Sequence, residues 1–214
     1  MYCQQQDCEA IDQIINITKP EKGGIPGYNI YHVIETLRIF KNKDVGRPFL
    51  SSYFNLGEAS IKTMLRRLKE NKLIIQMGKR NKLTDKGEKI LKIFESKLKI
   101  FESKLKIEGL EECEILIMEM EAPPKDLTSI HEIRDEIISN NCRMAVIGFI
   151  ENNSIGFPGL PDYLQSELIR CSEEFSNIVN RGVIIITPKS CLQSLYSFYV
   201  EIIKQCCLTT NIQN

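Results

Sequence analysis

One stretch of this chain changes its hydropathy period three times within fifty residues, and each change is punctuated by a turn signal. It runs from Gly46 to Leu91: GRPFLSSYFNLGEASIKTMLRRLKENKLIIQMGKRNKLTDKGEKIL. Pro48 suits the first turn of a helix, where the missing N–H has no intrahelical partner to lose. Phe49, Leu50, Tyr53 and Phe54 give that helix an apolar face, and Asn55-Leu56-Gly57 stops it, with Gly57 expected to take a positive φ. From Glu58 to Lys69 the apolar residues Ile61, Leu65 and Leu68 recur at helical spacing, and Met64 widens the stripe. Leu73-Ile74-Ile75 then begins a strand, Gly78-Lys79-Arg80-Asn81 reads as a hairpin tip, and Lys82-Leu83-Thr84 returns. Asp85, three residues before Glu88, is placed to open a last helix with a capping box.

Helix, turn, helix, hairpin and helix in this order is the pattern of a winged helix-turn-helix. Upstream, Tyr28 to Lys41 supplies its first helix, with Ile30, Val33, Ile34, Leu37 and Phe40 facing the core. His32 lies off that stripe and is expected at the surface. The helix from Glu58 carries Ser60, Thr63 and Arg67 on one face, flanked by Lys62, Arg66 and Lys69. Short hydroxyls and long cations are what a helix in a major groove uses to reach base edges and phosphates. Lys79, Arg80 and Lys82 at the hairpin suit the backbone or a minor groove, and Arg47 adds to the same surface. Between Lys41 and Lys82 eleven cations face three anions in a chain whose net charge is +0. A local excess of that size is the electrostatic footprint of a polyanion partner. A basic helix is also an ordinary solvated face, and such modules also bind proteins.

Gly46-Arg47, Leu56-Gly57-Glu58 and Leu83-Thr84-Asp85-Lys86-Gly87 resemble the winged helices of archaeal transcriptional regulators. That match covers Asn29 to about Phe94. The two-domain layout resembles an archaeal family of winged-helix proteins with a small α/β C-terminal domain and an uncharacterised function. The resemblance implies a DNA-binding regulator; in the C-terminal half it is one of layout, without a ligand motif.

The 214 residues and their charge distribution favour two domains. From Glu108 to Glu174 fifteen acidic residues stand against Lys125, Arg134, Arg143 and Arg170, so this half repels DNA. The organisation expected is an arm and linker over 1–27, a winged helix over 28–91, a linker or dimerisation helix over 92–110, an α+β domain over 111–208 and a tail over 209–214. Within the arm a short helix is expected, with Ile11, Ile14 and Ile15 apolar. Lys92–Leu98 (KIFESKL) repeats letter for letter at Lys99–Leu105. In one continuous helix the copy adds ~10 Å and keeps its faces aligned. Leu91, Phe94, Leu98, Phe101 and Leu105 would then form a short heptad seam, serving a homodimer or packing on the chain's own C-terminal domain.

Downstream the order is β-α-β-β-α-β and a final helix: strands at 114–121, 142–150, 154–157 and 182–187, helices at 127–139, 161–178 and 191–207. This predicts a two-layer α+β domain, an antiparallel sheet with helices on one face. Ferredoxin-like topology is its simplest form; the resemblance implies another two-layer arrangement, so only the layers are expected. The last helix is apolar nearly all round and needs burial, over the sheet or between subunits.

Several functions lack their residues. There is no phosphate-binding glycine loop, no nucleophile elbow and no His paired with a nucleophile, so the chain reads as a non-enzyme without a cofactor. Eight cysteines are scattered without a C-x-x-C pair, and no metal site is expected. Cys113, Cys142, Cys171 and Cys191 read as small buried hydrophobes, while Cys3, Cys8, Cys206 and Cys207 are the ligands worth testing. His131 sits among Glu132 and Asp135 on a solvated helix face. Gly156, Phe157 and Gly159, in the loop before a helix, are the weak candidates for a small-molecule or anion seat; a rigid turn is the plainer reading. No run is long and apolar enough to span a membrane and no signal peptide opens the chain, so a cytoplasmic protein is expected. The expected partners are double-stranded DNA, a second copy of the chain and a small-molecule effector. The alternative is a winged-helix interaction or assembly module that does not bind DNA specifically.

Overall fold

The computed structural model describes residues 4–21, 24–78, 80–102, 113–120 and 125–212, with the side chains of 97, 171, 205, 206 and 208–212 left aside. The chain is α+β and divides into two compact units, Cys3–Glu95 with Ile203–Asn214, and Ser96–Ile202 with Met1–Tyr2.

The first unit begins with α1 (Gln5–Thr18), whose Ile11, Ile14 and Ile17 are buried, whereas Ile15 is only half-buried. The arm is therefore part of the core, and α1 packs against α2 (Ile30–Asn42) and α4 (Glu58–Glu70). Asn29 caps α2 by accepting from the His32 N–H at 3.3 Å, while His32 Nδ1 accepts from the Asn29 N–H at 3.1 Å. His32 is thus buried and not at the surface. Burial pushes its pKa down to about 4, keeping the ring neutral and Nδ1 able to accept.

Helix α3 (Arg47–Phe54) buries Leu50 alone; Phe49 and Tyr53 are exposed and stack on each other at 5.9 Å. Its stop is also different from expectation. Asn55 takes the left-handed conformation at φ 51°, and Gly57 is extended at φ −61° as the N-cap of α4. A short polar side chain tolerates that region where most residues do not. Strands β1 (Ile74–Met77) and β2 (Arg80–Leu83) pair antiparallel, with Gly78 at φ 61° opening the tip. The Asn81 N–H donates to the Val45 carbonyl at 3.1 Å, tying the hairpin to the segment between α2 and α3. Helix α5 (Asp85–Lys97) is capped by Thr84 and not Asp85, the threonine hydroxyl accepting from the Gly87 N–H at 3.1 Å. Gly87 is required by close approach, since a Cβ there would lie 2.2 Å from the Leu73 carbonyl oxygen.

The duplicated heptapeptide does not form one helix. Its first copy ends α5, and the second begins inside β3 (Leu98–Glu102), which pairs antiparallel with β4 (Cys113–Glu119). The heptad seam is therefore absent: Leu91 and Phe94 are buried on α5, while Leu98 and Phe101 lie on a strand, and Leu105 falls outside the described residues.

In the second unit the remaining elements are α6 (Leu127–Ser139), β5 (Val146–Glu151), β6 (Ser154–Gly156), α7 (Asp162–Ser172), β7 (Arg181–Pro188) and α8 (Leu192–Ile212), α8 passing into the first unit at Ile203. Asn152 and Asn153, at φ 49° and 63°, make the tight turn between β5 and β6. The sheet order is β3-β4-β7-β5-β6, antiparallel at every pairing. That is not ferredoxin-like, because β7 enters between β4 and β5. One sheet face packs Ile115, Ile117, Ile150, Ile184 and Ile186 with Leu168 of α7 and Phe175. The alternating residues Leu116, Met118, Val183 and Ile185 are buried as well, so the central strands are covered on both faces and not one. Cys142 and Cys191 are buried but bonded to each other, and Cys8 is bonded to Cys207. Cys113 is buried, while Cys3 and the side chains of Cys171 and Cys206 lie outside the described residues.

Candidate nucleic-acid interface

Helix α4 buries Ile61, Met64, Leu65 and Leu68, which turns Ala59, Lys62, Thr63 and Arg66 away from the core. Facing them is the hairpin, held by its bridge to Val45. Between the two runs a groove of about 920 Å³, with Arg47, Lys62, Arg66 and Lys69 along its sides. Glu70 is the acid that lines it, and it forms an ion pair with Arg66 at 2.8 Å. Lys69 Nζ donates to Gln76 Oε1 of β1, crossing from helix to hairpin. Arg47 stands at the first turn of α3, exposed. Arg80 and Lys82 are exposed on β2, and Lys79 lies outside the described residues.

Asn81 was not singled out from the sequence, although strand alternation between Arg80 and Lys82 points it inward. It is buried, lines the groove, and its Oδ1 has no hydrogen-bond partner among the described residues.

Ser60 and Arg67 sit elsewhere. Ser60 is half-buried beside Gly27, where a Cβ would come within 2.5 Å of its hydroxyl oxygen. It lines a second cavity of about 320 Å³ on the other flank of α4, with Thr63, Arg66, Arg67, Glu21 and residues 24–28. Thr63 turns its hydroxyl to the Ala59 carbonyl at 2.9 Å. Arg67, expected on the outer face, is 4% exposed. Its Nη1 donates to the carbonyls of Ile17 and Lys19, each at 2.7 Å, and its Nη2 lies 3.1 Å from Glu21 Oε2. The cause is α1, whose C-terminal carbonyls need donors and find the guanidinium. Arg67 is thus part of the core and the outer face is centred on Lys62 and Arg66.

The chain's fold is similar to that of a solved structure, a hypothetical protein from Pyrococcus horikoshii OT3. The two share 24% identity, with 82% of this chain and 92% of that chain covered and a TM-score of 0.55. No family model matches, and neither does any curated protein. The likeness is one of fold, across both units.

The second candidate set lies in the other unit, around the turn after β6. Phe157 is fully buried in the sheet core, a Cβ at Gly156 would meet the Phe149 ring at 2.6 Å, and Gly159, at φ +79°, abuts Leu127. These residues build a packed turn, and the Phe157 side chain is closed to a ligand. His131 is exposed on α6. Among the described residues no three His, Cys, Asp or Glu are grouped to hold a metal, and no helix is long and apolar enough to cross a membrane.

Proposed function

We propose that this protein is a DNA-binding transcriptional regulator. Helices α2 to α5 with the β1–β2 hairpin act as a winged helix-turn-helix, and α4 enters the major groove of double-stranded DNA. The observation carrying this reading is the groove between α4 and the hairpin, where Arg47, Lys62, Arg66 and Lys69 converge. Phosphates neutralised there by Arg47, Lys62, Arg66 and Lys69 release counterions, which supplies affinity. Arg80 and Lys82 touch backbone from the hairpin. Arg67 leaves the set of contacts, because it is committed to Ile17 and Lys19.

In this proposal the protein is a cytoplasmic homodimer without catalytic activity, and the second unit carries dimerisation and effector sensing. The dimer does not use the heptad seam, which the strand β3 replaces. Disulfides are rare in the cytosol of mesophiles and frequent in that of hyperthermophiles, so the Cys8–Cys207 and Cys142–Cys191 bonds fit a cytoplasmic setting of the second kind.

One observation favours an assembly module instead. Ile75 and Met77 are 54% and 62% exposed on the hairpin, directly opposite Lys82 and Arg80. Apolar residues beside cations suit an acidic protein surface. Fluorescence anisotropy on the chain's own upstream DNA and on a scrambled duplex, over a range of salt, separates the readings. Tighter binding to the upstream DNA with a steep salt slope supports the regulator, and no binding to either at low salt makes the module the leading reading.

A further inference from the structure

Arg66 lines both the groove and the smaller cavity behind it, so its guanidinium stands on the ridge between them. On the groove side it meets Glu70; on the other side its Nη2 meets Glu21 Oε2 at 2.8 Å. Glu21 does not line the groove. It arrives from the turn after α1, and that turn is fastened by the buried Arg67 through Ile17 and Lys19. The Gly24 N–H donates to the Glu21 carbonyl at 3.2 Å, which holds the Glu21 backbone in place. A single carboxylate oxygen therefore bridges two guanidiniums, Arg66 and Arg67, in the manner of a phosphate oxygen.

We propose that Glu21 is a built-in competitor of the nucleic-acid phosphate for Arg66. The inference rests on the DNA-binding reading for its ligand and on the Glu21–Arg66–Arg67 geometry for its mechanism. Arg67 anchors the competitor, and Arg66 is the contested cation. Binding a duplex with full use of Arg66 requires Glu21 to release it, which lowers affinity on every sequence. The hydrogen bond from Arg66, followed by that from Arg67, holds the Glu21 carboxyl below its usual range, so it stays ionised and competes throughout the neutral pH range. Glu70 holds the same guanidinium from the groove side, through both carboxylate oxygens at 2.8 Å, and its charge also faces the phosphate; the Glu21→Gln variant leaves that pair in place.

The test uses the full chain and the variants Glu21→Gln, Asp12→Asn, Arg66→Ala and Glu21→Gln/Arg66→Ala. Asp12 is exposed on α1, and its replacement removes the same charge. Affinity is read by anisotropy on a labelled duplex, and polyanion affinity by the salt at which each variant elutes from heparin. Glu21→Gln is expected to bind the duplex about two- to fivefold tighter than Asp12→Asn, the range for an exposed ion pair. It should elute later from heparin, and both gains should vanish in the Arg66→Ala background. Equal behaviour of Glu21→Gln and Asp12→Asn on both probes overturns the proposal, and leaves the regulator reading standing if the wild type binds its duplex. Later elution of Glu21→Gln without duplex binding by any variant upholds the contact and rejects DNA as the ligand.

Discussion

Replacing Arg67 with alanine separates a structural arginine from a base-reading one. In the folded state its guanidinium donates to two main-chain carbonyls at 2.7 Å, Ile17 and Lys19, and is buried. Hydrogen bonds to a charged group are worth roughly 1.5–3 kcal/mol each. They share one side chain, so they do not add in full. The Arg67 Nε is buried without a hydrogen-bond partner among the described residues, which costs about 1–3 kcal/mol of desolvation that truncation relieves. The net expected loss is about 2–3 kcal/mol, measured as a lower urea midpoint at unchanged slope. For a chain of 214 residues that corresponds to a fall in Tm of about 4–12 °C. Arg66→Ala is the matched comparison: it is half-exposed, so its stability should change little while duplex affinity falls. The reasoning is refuted if Arg67→Ala is as stable as the wild type and loses sequence-specific binding. That result would mean α4 is turned about its axis, with Arg67 on the DNA side.

Three further outcomes are expected. Arg47→Ala and Lys62→Ala should each weaken binding on upstream and scrambled duplexes alike and flatten the salt slope by about 0.9 per lost phosphate contact; a change confined to one sequence would instead make the residue a base reader. Gly87→Ala should destabilise the fold by about 2 kcal/mol in urea titration, because the Leu73 oxygen at 2.2 Å forces overpacking of up to ~3 kcal/mol against a helix-propensity gain of ~1 kcal/mol; a raised midpoint would contradict this. His32 has a folded pKa of about 4 against 6.5 unfolded, so its contribution is complete above pH 6.5 and is lost as pH falls toward 4, at up to about 1.4 kcal/mol per pH unit. His32→Gln should show a shallower loss of Tm across that window, and an unchanged slope would place the titration elsewhere.

What could be read from the letters alone follows a physical boundary. Helix α4 was legible because its stripe of Ile61, Leu65 and Leu68 is a local period, and the hairpin because Gly78 and the alternating strands are local too. The basic groove was legible as charge, since a sum of charges does not depend on knowing where side chains point. Arg67 was not legible, because its burial depends on the end of α1, with Ile17 50 residues upstream in a segment that composition marks as an arm. His32 failed for a related reason: a histidine at the third position of a helix can replace the acid of a capping box, and only its own backbone partner Asn29 reveals it.

The duplicated heptapeptide carries this boundary furthest. Lys92-Ile93-Phe94-Glu95 and Lys99-Ile100-Phe101-Glu102 are the same four letters, and they are helix in α5 and strand in β3. Intrinsic propensity is therefore equal for the two copies, and what differs is the partner each meets. The first copy follows Thr84 and Gly87, which start a helix whose Leu91 and Phe94 enter the core of the first unit. The second lies beside β4, where five register pairs from Leu98↔Met118 to Glu102↔Glu114 satisfy its backbone. Phe101 there reaches the Phe175 ring at 5.0 Å. A heptad read as a helix keeps one face aligned, whereas a strand flips faces at every residue, so the same duplication that would extend a seam instead supplies an edge strand. Sequence periodicity thus proposes a structure for each copy, and the pairing energy of β4 decides between them.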